Sequence, residues 1–303
     1  MYYTLALIIL LIILIRKQKK EGWKNLQNDN YFYYFNKNDF NFRNCSNIKQ
    51  CKSVYGEAEL LMSPFEKNKI KELINNLLDD IGHKYMFIFN GISLIKVSDS
   101  IENSLPHTRG RNIILSKRWI NKFLEEQNSL ILEKLLSHEQ FHVYQRYNPE
   151  KIDTFYSKYW NMEKLKKKLP EEILNLNRTN PDALPNINWL FKRKDDLILP
   201  LCLYKENAQS LFDTENIYFR LDKNHNFIDL VEDLEKRKLL SQEESFRNFF
   251  GEEMANNYHA NELSASLFEL IIEDIVISKN NPNYKVKRPP AYYKMKEFLD
   301  LQN

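Results

Sequence analysis

The chain is 303 residues long and 43% hydrophobic, enough to bury one large core or two lobes that share a cleft. Its 44 basic and 41 acidic residues leave a formal charge of +3 spread along the whole length, so no concentrated positive field exists for nucleic acid to select. Three cysteines without a CxxC pair exclude a disulfide-dense scaffold and a thiolate zinc knuckle. Cys45 and Cys51 suit a small bridged loop in an oxidising compartment and two free thiols in a reducing one equally well.

Residues 5–15, LALIILLIILI, carry no polar side chain, and the apolar run stops at Arg16-Lys-Gln-Lys-Lys20. The charge follows the run and no small-residue cleavage site succeeds it, so residues 1–16 are expected to form an uncleaved membrane anchor. The basic flank would leave the remainder on the cytoplasmic side. Residues 17–55, polar and aromatic without a clear period, are expected to be a juxtamembrane linker, and residues 56–303 a single domain.

In that domain Ser63, Pro64 and Glu66 make a capping box for a helix whose apolar stripe runs from Ile70 to Ile81 and stops at Gly82. Residues 85–89 and 92–97 are β-rich runs divided by Asn90-Gly91, a hairpin signal, and residues 112–115 predict another strand. Helical periodicity returns over residues 117–147. It continues beyond Pro149 to about residue 176, with Lys164 to Lys168 as a solvated basic face, and gives way to a turn-rich run at residues 178–186. Residues 197–204, 208–211 and 216–221 suggest a second small sheet. A long helix is expected from residue 245 to about 278, and a short one after Pro289-Pro290. The pattern is α+β.

The chemistry concentrates in LLSHEQFHVYQRYNP, which begins at Leu135. Side chains four apart on a helix are displaced by about 40° and roughly 6 Å along the axis, so His138 and His142 can reach one ion. Catalytic zinc takes three protein ligands and an open position, and Glu139 beside the histidines is placed to take a proton from the attacking water. Leu132, Leu135, Leu136 and Val143 make this helix apolar on both flanks, where two imidazoles and a carboxylate are costly without an ion to satisfy them. Position 145 is Gln and position 148 Asn, so no third histidine follows as in the metzincins. The best third ligand is Glu262, in NYHANELSAS, because Ala260, Ser264, Ala265 and Ser266 let its helix approach closely.

HEQFH together with the downstream YHANELSA resembles the gluzincin class of zinc metallopeptidases. It is most similar to a group of secreted or anchored peptidases whose second motif reads roughly YxxHPEExxAdnF. The segments at residues 107–116 and 178–189 are also similar to that group. The resemblance implies a zincin-like two-lobed domain with a small antiparallel sheet and an active-site helix carrying HExxH. It implies Zn²⁺ held by His138, His142 and Glu262, Glu139 as general base, and a peptide or protein substrate. His259 matches the histidine of the second motif, as donor to the oxyanion with Tyr258 as the alternative, or as a hydrogen-bonding partner only. The chain departs from the group at Ala260-Asn261, where Pro-Glu is usual, and at Ser266, where Asp is usual. Peptide backbone is expected along the strand before the HExxH helix, with His107 at the cleft rim or simply in a turn; His83 and His225 have turn-like settings and no assigned role. HExxH names the ion and the water but not the acyl group, so a zinc hydrolase of a non-peptide amide or ester, and an inactive zincin-fold binding protein, remain the alternatives.

Overall fold

The computed structural model describes residues 30–125, 129–183, 186–228, 238–252, 254 and 258–302. The expected anchor, residues 1–16, lies outside them; among the described residues no helix is long and apolar enough to cross a membrane.

The α+β character holds. A 3-10 turn at Tyr31–Tyr34 leads into α1 (Lys37–Phe42) and α2 (Ile48–Glu57), followed by β1 (Glu59–Leu60), α3 (Pro64–Ile81), β2 (Ser93–Val97), β3 (His107–Arg109) and β4 (Asn112–Ser116). Helices α4 (Lys117–Glu125), α5 (Ser129–Tyr147) and α6 (Pro149–Lys158) come next. Then β5 (Met162–Lys164), α7 (Glu171–Leu174), β6 (Trp189–Lys192), β7 (Leu197–Tyr204), β8 (Thr214–Leu221) and β9 (Lys238–Leu239) build a second sheet. The chain closes with α8 (Glu244–Phe250), α9 (Ala260–Asn280) and α10 (Pro290–Asp300). The first sheet has four strands in the order β1-β2-β4-β3 and is mixed, because β2 pairs parallel with β4. The second has five antiparallel strands in sequence order.

The centre is the contact between α5 and α9, where Phe141 and Phe268 stack with centroids 4.9 Å apart. Ser264 and Ala265, both fully buried, keep the α9 side of that contact thin. The capping box at Ser63 and Glu66 forms as the sequence predicts.

Several expectations are corrected. Residues 85–89 are not a strand: turn hydrogen bonds from Ile88 N to Tyr85 O and from Phe89 N to Met86 O curl them. Tyr85 and Phe89 pack on Phe268 of α9, so tertiary burial overrides the hairpin signal. Helix α6 ends at Lys158, Asn161 adopts φ 54°, and the chain turns into β5, which finds its partner in β6. Residues 208–211 belong to the β7–β8 connection, where Lys205 N bonds Asp213 O. The long C-terminal helix is split, α8 ending at Gly251 with φ 97°.

The largest correction concerns the linker. From residue 31 it is folded, with Tyr31, Phe32, Phe35 and Tyr55 in a buried aromatic cluster and Cys45 bridged to Cys51. Such clustering has no helical or strand period, which is why it reads as irregular. Asn36 donates to the carbonyls of Leu174 and Asn177, so this segment is pinned to the end of α7 and the residues just before the turn-rich run, 138–141 residues later.

Candidate metal centre

Helix α5 presents His138, Glu139 and His142 on the face that meets the first turn of α9, where Glu262 sits. The three ligand atoms form a compact triangle: His138 Nε2 lies 3.0 Å from His142 Nε2, and Glu262 Oε2 lies 3.6 Å and 3.7 Å from the two nitrogens. The point equidistant from these atoms is about 2.0 Å from each, the bond length of zinc to nitrogen or carboxylate oxygen. Tetrahedral ligands at that length stand about 3.3 Å apart, so the observed spacings bracket the requirement. Among the described residues this is the group of three such side chains close enough to hold a metal ion.

Each ligand is held from behind. Gln145 Oε1 lies 2.9 Å from His142 Nδ1 and accepts its N–H, which leaves Nε2 free as a ligand; the same amide donates to Asn261 O and Ser264 Oγ on α9. Asn180 Nδ2 donates to Glu262 Oε1 at 2.7 Å, leaving Oε2 for the ion. Glu269 Oε1 comes within 2.7 Å of His138 Nδ1, off the N–H direction. Glu269 therefore brings a carboxylate to His138 from further along α9. It was legible only as Glu262 plus seven, two turns along the same helix face.

The metal-ligand charges are strongly coupled to burial. Burial opposes protonation of His138, yet the carboxylates of Glu262 and Glu269 beside it hold its pKa well above the usual range. The Glu262 carboxyl is held well below its usual range, against burial, by the two histidines. Glu139 is 3% exposed and its Oε2 accepts no hydrogen bond. Burial raises its pKa to about 8, the neighbouring His138 opposing and Asp182 adding to the rise. A buried carboxylate oxygen without a partner, opening on the same cavity as the triangle, is the kind of group a bound water and ion would satisfy.

The opposite wall of that cavity comes from residues 178–182 and from β3, and it is fastened to α5. Asp182 accepts from Thr108 N at 3.2 Å and from the Thr108 hydroxyl, and Arg146 of α5 donates to Thr108 Oγ1, Gly110 O and Pro181 O. Behind it, Arg43 bonds Glu102 at 2.9 Å, Asp39 at 2.7 Å and the Thr179 carbonyl at 2.7 Å. His107 is 4% exposed, lines the cavity and bonds Leu105 O through Nδ1; it is a buried wall residue, not one of an exposed rim or turn.

Of the two roles expected of His259, the structure shows hydrogen bonding, here to backbone. This histidine is the N-cap of α9, its Nδ1 accepting from Asn261 N, while Nε2 donates to Ile187 O at 2.7 Å. With both nitrogens committed to backbone, and outside the lining of the cavity, it is not placed to stabilise an oxyanion. Tyr258 is buried and, like His259, outside the lining of the cavity, with its ring beside Arg178. The expected substrate strand is corrected as well. β4 is paired on both sides, by β2 and β3, and the outer edge of β3 is occupied at Thr108 N by Asp182.

Fold and site thus define an α+β protein with a preformed His-His-Glu cluster that can hold a metal ion. No family model, no curated protein and no solved structure matches the chain.

Proposed function

We propose that this protein is a zinc-dependent metallopeptidase, a zincin-like two-lobed enzyme that hydrolyses peptide bonds of a peptide or protein substrate. The observation that carries the reading is the triangle of His138, His142 and Glu262 beside the unpartnered, buried carboxylate of Glu139. Zinc bound by those three side chains supplies a Lewis acid that polarises a carbonyl and lowers the pKa of water to about 7. Glu139 takes the proton of the attacking water and returns it to the leaving nitrogen. Gln145 fixes the tautomer of His142, and Asn180 turns Glu262 so that one oxygen faces the histidines. Neither His259 nor Tyr258 lines the cavity, so neither is assigned as donor to the developing oxyanion. Residues 1–16 anchor the enzyme to a membrane, and the bridge between Cys45 and Cys51 favours an oxidising side for the domain over the cytoplasmic side suggested by the basic flank.

Metal analysis and peptide digestion by the full chain test this. One zinc per chain is expected, lost in His142→Ala. Glu139→Gln should keep the metal and lose cleavage of a mixed peptide library. Zinc binding without any cleavage by the unmodified chain would move the assignment to an amide or ester hydrolase or an inactive binding protein, and a folded chain that takes no metal refutes all three.

A further inference from the structure

The cavity facing the cluster has a volume of about 170 Å³, below the roughly 300–1,000 Å³ of pockets that enclose drug-sized ligands. Nearly every charge on its wall is already answered. Arg43 is neutralised by Glu102 and Asp39, and each of its nitrogens donates a hydrogen bond. Asp182 is bound by Thr108 and Arg146, and Glu262 faces the two histidines.

Arg178 is the exception. It lines the same cavity, yet no carboxylate among the described residues pairs with it; the Tyr258 hydroxyl beside it is its polar neighbour and, with burial opposing, helps hold its pKa above the usual range. Its carbon lies 5.9 Å from the centre of the Tyr258 ring. The backbone that carries it is held firmly: Arg178 N donates to Cys202 O at 2.9 Å, Thr179 N donates to Asp39, and Asn180 reaches Glu262. A half-buried guanidinium on a rigid segment, two residues from the side chain that orients a metal ligand, presents a planar fork of donors suited to a carboxylate.

The sheet edge points the same way. Peptidases that hold an extended substrate as an added strand need a free edge, and here Asp182 occupies Thr108 N on the outer side of β3. Thr108 N is therefore not free to pair with an added strand.

Building on the metallopeptidase reading, we propose that Arg178 binds the free terminal carboxylate of the substrate, so that the enzyme removes the C-terminal residue of short peptides or splits dipeptides. In the step implied, water adds its oxygen to the carbonyl carbon of the last peptide bond. The C–N bond breaks, and the water proton passes through Glu139 to the departing amine. The products are a shortened peptide carboxylate and a free amino acid.

The test compares N-acetylated alanyl-phenylalanine with its C-terminal amide. Binding is measured by calorimetry on the zinc-loaded Glu139→Gln chain, and cleavage on the unmodified chain. A charge-assisted pair predicts that the free acid binds about ten- to a hundredfold more tightly than the amide. In Arg178→Gln that ratio should fall towards one with the zinc content unchanged, and Arg178→Lys should restore part of it. Equal binding of acid and amide, or a ratio that survives Arg178→Gln, overturns the proposal. The comparison on the unmodified chain needs no variant to fold. Equal cleavage of both peptides removes the carboxylate specificity and leaves the metallopeptidase standing; bound zinc with neither peptide nor any library member cut removes both.

Discussion

Replacing Glu262 by Gln keeps the shape of the side chain and removes the one anionic ligand. In the native arrangement Oε2 stands 3.6 Å and 3.7 Å from the two imidazole nitrogens, while Oε1 is committed to Asn180. An amide oxygen can occupy the same place without the charge. Loss of a partner that merely orients a ligand weakens metal binding about 10- to 100-fold, so loss of this ligand's charge should cost at least the upper end. With free zinc at a hundred times the native Kd, ligation stabilises the folded chain by about 2.7 kcal/mol. For an ordered region of this size that is a rise in Tm of about 5–10 °C. After a hundredfold weakening the same zinc stabilises by only about 0.4 kcal/mol, a rise of about 1–2 °C. The quantity to compare is the zinc-induced increment, because the metal-free protein also loses the pairing of Glu262 with two buried histidines. Thermal melting of the full chain in detergent, followed by circular dichroism with and without zinc, reads it. An increment in Glu262→Gln equal to that of the native chain would refute the assignment of Glu262 as the third ligand.

Three further outcomes follow from the same geometry. Glu102 is 5% exposed and, against burial, Arg43 and His107 hold its carboxyl down to about 2. Its stabilising effect is therefore fully present above the ordinary carboxyl range and is lost as pH falls from about 4.5 through 2. Glu102→Gln should remove about 3 kcal/mol of native stability at pH 7 and nearly none at pH 2, read from urea midpoints; a difference independent of pH would show that Glu102 titrates normally. The Cys45–Cys51 bridge closes a loop of sequence separation 6, so reduction should cost about 2 kcal/mol, and urea midpoints unchanged by dithiothreitol would contradict it. A chain beginning at residue 56 loses Arg43 and leaves Glu102 buried without its cation, a loss of about 3–5 kcal/mol, whereas one beginning at residue 30 should fold; equal melting temperatures for the two would overturn the role given to that segment.

Local rules carry far where a signal repeats at the period of one element. The capping box before α3, the apolar stripe of α5, the β7 and β8 strands and the i,i+4 histidines are all legible in the chain, because a helix or strand imposes its spacing on nearby residues. Glu262 could be chosen for its small neighbours, since close approach of α9 requires them. Tertiary contact alone decided the rest. The aromatic residues of 31–55 have no period and cohere only by packing on each other and on the 174–179 run. Residues 85–89 have strand composition but gain more by burial against Phe268 than by pairing. Gln145, Asn180 and Glu269 became partners of the ligands only when chain distances of 116, 82 and 131 residues closed to hydrogen-bonding range of Asn261, Glu262 and His138. Sequence by itself determined which side chains could share an ion; only the tertiary structure decided what orients them and what occupies the β3 edge, because those depend on contacts between segments with no common period.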